Sequence, residues 1–201
     1  MTALLSTTYF GPVQWYQKLH RSEAVEIEQW ESFQKQTYRN RCLIATTQGI
    51  QTLTVPVNHQ HGQCIKDLRI SDHGNWRHLH WNALQSAYGE SPFFDYYQDD
   101  IRPFFERRWD FLLDYNEAIR QTMCELLDIQ PIVSYTGKFM VCGSPSTGDY
   151  RSAINPKHPA PDPEFTPKTY YQVYQQKHGF QPNLSVLDLL FNMGPEGIFY
   201  L

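Results

Sequence analysis

Residues 4–28 hold the decisive stretch: Leu4-Leu5-Ser6-Thr7-Thr8-Tyr9-Phe10, the pair Gly11-Pro12, a run in which Val13, Tyr16 and Leu19 recur, and then Ala24-Val25-Glu26-Ile27-Glu28. The first seven residues read as a short strand that stops at the Gly-Pro breaker. Pro12 suits the first turn of a helix, because its missing N–H has no intrahelical partner there, and the recurrence that follows has helical spacing. From Ala24 the period drops to two, putting Val25 and Ile27 on one face and Glu26 and Glu28 on the other. Strand, helix and strand in succession predict an α/β domain whose first two strands are neighbours.

Working outward, residues 41–45 and 51–57 are β-rich and flank Thr46-Thr47-Gln48-Gly49, a turn composition, so they predict a hairpin. Residues 65–70 read as a further strand with an irregular start. At Asn75 the period becomes helical. Trp76, Leu79, Ala83, Leu84 and Ala87 form one face, Gly89 closes the helix, Ser91-Pro92 opens a second and Pro103 a third, so a helical block spans 75–129. Residues 132–135 return to a strand. The 143–167 stretch collects six prolines and reads as an irregular loop, a kind that is either a binding loop or disordered. Helices over 169–178 and 185–191 complete the chain. The fold class is therefore α/β: a small mixed or parallel sheet, a β-hairpin insertion and a compact helical block in one domain, 1–201.

Composition narrows the function. The 201 residues carry 17 Lys and Arg against 21 Asp and Glu, a net charge of -4, with no basic stripe, which argues against nucleic acid as a partner. No apolar run approaches the roughly 20 residues of a membrane span, and Met-Thr-Ala-Leu-Leu-Ser lacks the pattern of a signal peptide, so the expected location is cytoplasmic. The four cysteines, Cys42, Cys64, Cys124 and Cys142, have no metal-ligand spacing and read as buried hydrophobes. His59 and His61, two apart on an extended chain, share a face and are either a zinc pair or part of a solvated loop. His78 and His80, two apart on a helix, do not share one. Neither a metal nor another cofactor is expected.

The densest polar cluster is 28–41, where Trp30, Phe33 and Tyr38 interleave with Lys35, Arg39 and Arg41. It is either a charged connector or a pocket that packs a ring while gripping an anion. His80 shares a face with Trp76 and is either a core histidine or a site histidine.

Several segments together resemble the WbqC-like family: Tyr9-Phe10-Gly11-Pro12, residues 36–42, Leu53-Thr54-Val55-Pro56-Val57, the 65–70 strand, Trp76 with His80, and Ser86-Ala87-Tyr88 before Ser91-Pro92-Phe93-Phe94. Asp149-Tyr150-Arg151, Pro156-Lys157 and residues 183–192 are similar to the branch found in Bacteroidetes. The resemblance implies a role in bacterial surface-polysaccharide or aminosugar biosynthesis, with acyl or aminoacyl transfer to a sugar as the implied reaction. Two departures stand out: Ser6-Thr7-Thr8 replaces a His-Gln-Pro found in many members, and Glu28 stands where many carry Asp.

Two functions follow as expectations. In the first, the chain is a transferase on a nucleotide- or carrier-linked sugar, with Glu28 and His80 as catalytic groups and with Tyr9, Lys35, Arg39, Asn40, Arg41, Lys66, Asp149, Arg151 and Lys157 binding substrate. Arg41 is expected to pair with Glu28, and the 143–167 loop to cover the cleft. In the second, the chain is a non-catalytic module that binds a carbohydrate or a partner of the same pathway, with an exposed Tyr170-Tyr171 pair available for stacking. The apolar end of the chain, 198–201, must be buried in its own domain or in a homo-oligomer.

Overall fold

Alternation at 24–28 and helical spacing at 13–19 both translate directly into structure. The computed structural model describes residues 1–141 and 147–201. In chain order its elements are β1 Thr2–Ser6, α1 Val13–Arg21, β2 Ala24–Glu28, β3 Arg41–Thr46, β4 Gly49–Thr54, β5 Val57–Asn58, β6 Arg69–Ile70, α2 Trp76–Tyr88, α3 Phe94–Ile101, α4 Pro103–Glu106, α5 Leu112–Leu126, β7 Val133–Tyr135, β8 Thr147–Asp149, α6 Gln175–His178 and α7 Val186–Met193. Turns of 3-10 helix occupy Ile65–Asp67 and Gly194–Tyr200.

β1 and β2 pair in parallel, Thr2 opposite Ala24 and Ser6 opposite Glu28. β7 joins β2 and β8 joins β1, also in parallel, giving the order β7-β2-β1-β8. Parallel neighbours need a crossover, which α1 supplies between β1 and β2. Parallel sheets are covered on both faces, and consecutive Ala3, Leu4 and Leu5 are all buried accordingly. The β3–β4 hairpin turns through Gly49, whose φ of 106° is easy only for glycine.

The chain's end locks its beginning. Val13 and Gln14 donate their amides to Leu184 O and Asn183 Oδ1, so the first turn of α1 is capped from 170 residues downstream. Ser185 caps α7 by accepting from Leu187 N and donates its hydroxyl to Phe10 O at 2.8 Å. That contact holds Phe10, fully buried, at a left-handed φ of 40°.

Several expectations are corrected. The first strand ends at Ser6, not Phe10. The 65–70 segment is a 3-10 turn followed by β6, because Ile65 and Leu68, three apart and both fully buried, suit a helical turn better than a period of two. On α2 the buried stripe is Trp76, His80, Leu84, Ala87 and Tyr88, while Leu79 is 62% exposed. The helix opened by Pro103 breaks into α4 and α5, with Trp109 of the break stacked on Phe104. Only the last turn of 169–178 is helical, since Tyr170 and Gln172, two apart, both reach Asp188 from an extended chain. Tyr170 is thus buried and only Tyr171 exposed.

Of the 143–167 stretch, 143–146 lie outside the described residues, as does Cys142. The remainder contains β8, an edge strand of the main sheet, and is strapped to α1 through Asp162, which accepts from Lys18 Nζ at 2.9 Å and from Gln14 Nε2 at 2.8 Å. Burial works to raise the Asp162 carboxyl, but Gln14 and Lys18 outweigh it and hold it below the usual range. Leu201 is buried within its own chain. No helix among the described residues is long and apolar enough to cross a membrane.

Candidate functional site at the carboxyl edge of the sheet

In open parallel α/β sheets, ligands bind beyond the carboxyl ends of the strands, where loops diverge. Here the customary anion site at the first strand–helix turn is closed, because the opening amides of α1 are spent on residues 183 and 184. The polar groups gather beside it instead.

At the end of β1, Arg39 meets Glu31 fork to fork, Nε to Oε1 at 2.7 Å and Nη2 to Oε2 at 2.6 Å. Nη2 also donates to Ser6 Oγ at 2.9 Å, and Ser6 Oγ donates to Glu31 Oε2 at 3.2 Å. Asn116 Nδ2 fixes the neighbouring backbone through Arg39 O and Thr7 Oγ1. Arg39 and Glu31 are both almost fully buried, so this pair is held in one geometry.

At the end of β2, Glu28 has no exposed surface. It accepts from Trp30 N (2.8 Å), Thr136 Oγ1 (2.8 Å) and Met140 N (2.7 Å), and Arg151 Nη1 stands 3.5 Å away. Arg151 in turn grips Asp149 with Nε (2.9 Å) and Nη2 (2.6 Å) and donates from Nη2 to Met140 O (3.0 Å). Glu28 thus pins the 136–140 segment and orients Arg151 from behind.

Both arginines line a cleft of about 410 Å³, together with Glu31, Ser32, Gln34, Phe139, Asp149, Ser152, Asn155 and His158. The carboxylates of Glu31 and Asp149 match the guanidiniums of Arg39 and Arg151 one for one, and the buried Glu28 behind Arg151 adds a third. The cleft therefore offers oriented donors without excess positive charge, a setting suited to carbonyl and hydroxyl oxygens. Among the described residues no group of three His, Cys, Asp or Glu side chains is placed to hold a metal ion.

The structure brings together Glu28, Arg39, Asp149 and Arg151. It puts Tyr9 and His80 elsewhere, in the aromatic core, with Tyr9 Oη 2.9 Å from His80 Nδ1. Burial pushes the His80 imidazole down to about 4 and the Tyr9 hydroxyl well above its usual range. Asn40 secures the hairpin by donating to Val55 O. Arg41 forms no ion pair among the described residues, and the cation beside Glu28 is Arg151, so the expected Arg41–Glu28 pair is corrected. The reason is position: Arg41 opens β3 opposite Thr54, whereas Arg151 follows the edge strand that lies beside β1. Lys66 lies over the Trp30 ring at 3.8 Å. Lys35 and Lys157 are exposed and do not line the cleft. Sequence reasoning missed Glu31, Ser152, Asn155 and His158. Glu31 stood within the 28–41 cluster, and a lone histidine in a proline-rich stretch was the signal for His158.

A protein of Mycobacterium tuberculosis (strain ATCC 25618 / H37Rv) described as uncharacterized protein Rv1507c is 28% identical over 193 residues, spanning 84% of this chain and 83% of its own. No solved structure matches the chain. The model of the WbqC-like protein family matches residues 7–148 and 161–200, which takes in α1, the hairpin, the helical block and α7 as well as Glu31 and Arg39 of the cleft and Glu28 behind it. The chain belongs to the WbqC-like protein family.

Proposed function

We propose that this chain is a transferase of bacterial surface-polysaccharide or aminosugar biosynthesis, moving an acyl or aminoacyl group from an activated carrier to a sugar in the cleft at the carboxyl edge of the sheet. The observation that carries the reading is the pair of guanidinium forks, Arg39 and Arg151, each held by its own carboxylate and both lining one cleft. Groups fixed in this way pay little reorganisation when a substrate arrives. In the proposed step the sugar amine attacks the acyl carbonyl carbon, the bond to the carrier breaks, and the amine's proton passes to a base and on to the departing carrier. His158 is the cleft side chain suited to that proton transfer. Arg39 and Arg151 orient carbonyl and hydroxyl oxygens, while Glu28 positions Arg151 without touching substrate.

A second reading, a sugar-binding module, is favoured by one observation: both cleft arginines are already matched by carboxylates. Incubation with nucleotide-linked aminosugars and acyl-CoA donors, read by mass spectrometry, separates the two. Transferase activity gives a sugar product heavier by the acyl group, lost about 100-fold or more in His158→Ala. Thermal stabilisation by the sugar with no product across the donor panel favours the binding module.

A further inference from the structure

A second cleft, of about 370 Å³, opens on the helical side of the molecule where α2 begins and α4 ends. Arg77 in the first turn of α2, Arg102 at the α3–α4 junction and Arg108 beyond α4 all line it, with Trp81 and Phe105 as walls. The two rings have centroids 5.8 Å apart and planes inclined by 37°. The nearby acids are Asp72, 2.6 Å from Arg77 and 3.6 Å from Arg108, and Glu106, 2.6 Å from Arg102. Here guanidiniums outnumber carboxylates, the reverse of the cleft at the sheet edge.

Arg77 is built in rather than draped on the surface. Its side chain is 14% exposed and its guanidinium lies 4.5 Å over the Trp76 ring. Nε and Nη2 are shielded from solvent and have no acceptor among the described residues. Asp72 is the one carboxylate paired with Arg77 among the described residues, through Nη1, so the guanidinium adds to the positive field of the cleft. α2 carries no acid in its first turn, so the helix field has the same sign.

We propose that this cleft is a nucleotide site, separate from the transfer cleft, in which Arg77, Arg102 and Arg108 hold the phosphate and Trp81, backed by the buried Phe105, faces the base. Planar guanidinium forks match phosphate oxygens, and the aromatic walls supply what a bare anion site would not need. The volume falls within the ~300–1,000 Å³ usual for small-molecule sites.

Isothermal titration of the full chain with AMP, UMP, adenosine, inorganic phosphate and glucose 1-phosphate tests this. The expected result is saturable binding of AMP or UMP that weakens as salt rises from 50 to 300 mM, with the other three probes at least about tenfold weaker. Arg102→Gln and Arg108→Gln alter side chains that are 55% and 84% exposed, so the fold survives, and each is expected to weaken nucleotide binding about fivefold to tenfold. Trp81→Leu should weaken AMP more than inorganic phosphate. The proposal is overturned if neither nucleotide binds, if binding is indifferent to both arginine variants, or if inorganic phosphate binds as tightly as AMP. Since no turnover is read, failure of the transferase reading leaves this result untouched, and the reverse holds equally.

Discussion

Arg39 and Glu31 form a two-bonded ion pair with 5% and 7% of their side chains exposed, and Ser6 at the end of β1 closes the triangle. Removing one partner strands the other charge. Glu31→Ala should therefore cost about 3–5 kcal/mol in urea unfolding, whereas the double variant Glu31→Met/Arg39→Met should cost clearly less than the sum of the singles. Equal additive losses would mean that the pair is not coupled.

Glu28 and His158 should separate positioning from contact. Glu28→Gln leaves the Met140 amide facing an NH₂ group or losing its acceptor, a loss of about 1–3 kcal/mol of stability. His158→Ala, at an exposed position, should change stability by less than about 0.5 kcal/mol yet abolish product formation. Turnover retained in His158→Ala assigns the proton to another group.

The strap from α1 to the proline-rich stretch rests on Lys18 and Asp162. Lys18→Met leaves the buried Asp162 carboxylate without its cation. Limited proteolysis should then cut within 155–168 faster than in the parent chain, while the main sheet stays resistant. Unchanged cutting would show that β8 and its neighbours hold the segment alone.

Much of this was legible in the sequence where side-chain period and burial agree. Val25 and Ile27 against Glu26 and Glu28, and the spacing of Val13, Tyr16 and Leu19, announce the strand–helix–strand unit that places the cleft. The 28–41 cluster likewise announces Arg39. What stayed hidden depends on long-range partners: Arg151 reaches Glu28 only because β8 inserts beside β1, and no local pattern reveals that neighbour. His80 reads from its helix face first as a core histidine and second as a site histidine, and the partner that holds it in the core, Tyr9, lies 71 residues away. Tyr170 was misread because Asp188, its partner, lies on another element.

Acid titration should show two opposed contributions. Burial pushes His80 down to about 4 from 6.5, so as pH falls below about 6.5 the unfolded chain takes a proton that the folded chain refuses, and stability drops. Burial pushes Asp188 up to about 6 from 3.8, against hydrogen bonds from Tyr170, Gln172 and Tyr88, so between about 6 and 4 the folded chain takes the proton first and stability rises as pH falls. The two nearly cancel at pH 5–6. Asp188→Asn removes the second, and its unfolding free energy should fall by roughly 1 kcal/mol from pH 6 to pH 5 while the parent stays almost flat. A flat profile in the variant would contradict the assignment of His80 as a buried neutral imidazole.

The central claim is that Arg39 and Arg151 frame the substrate cleft. The most direct measurement follows the side-chain Nε–Hε resonances of the arginines by nitrogen-15 NMR while a nucleotide-linked aminosugar is titrated. The account predicts saturable shifts at Arg39 and Arg151 that are lost for Arg151 in Asp149→Asn, with Arg41 unmoved. Saturable binding that shifts other arginines and leaves both Arg39 and Arg151 unchanged would contradict it.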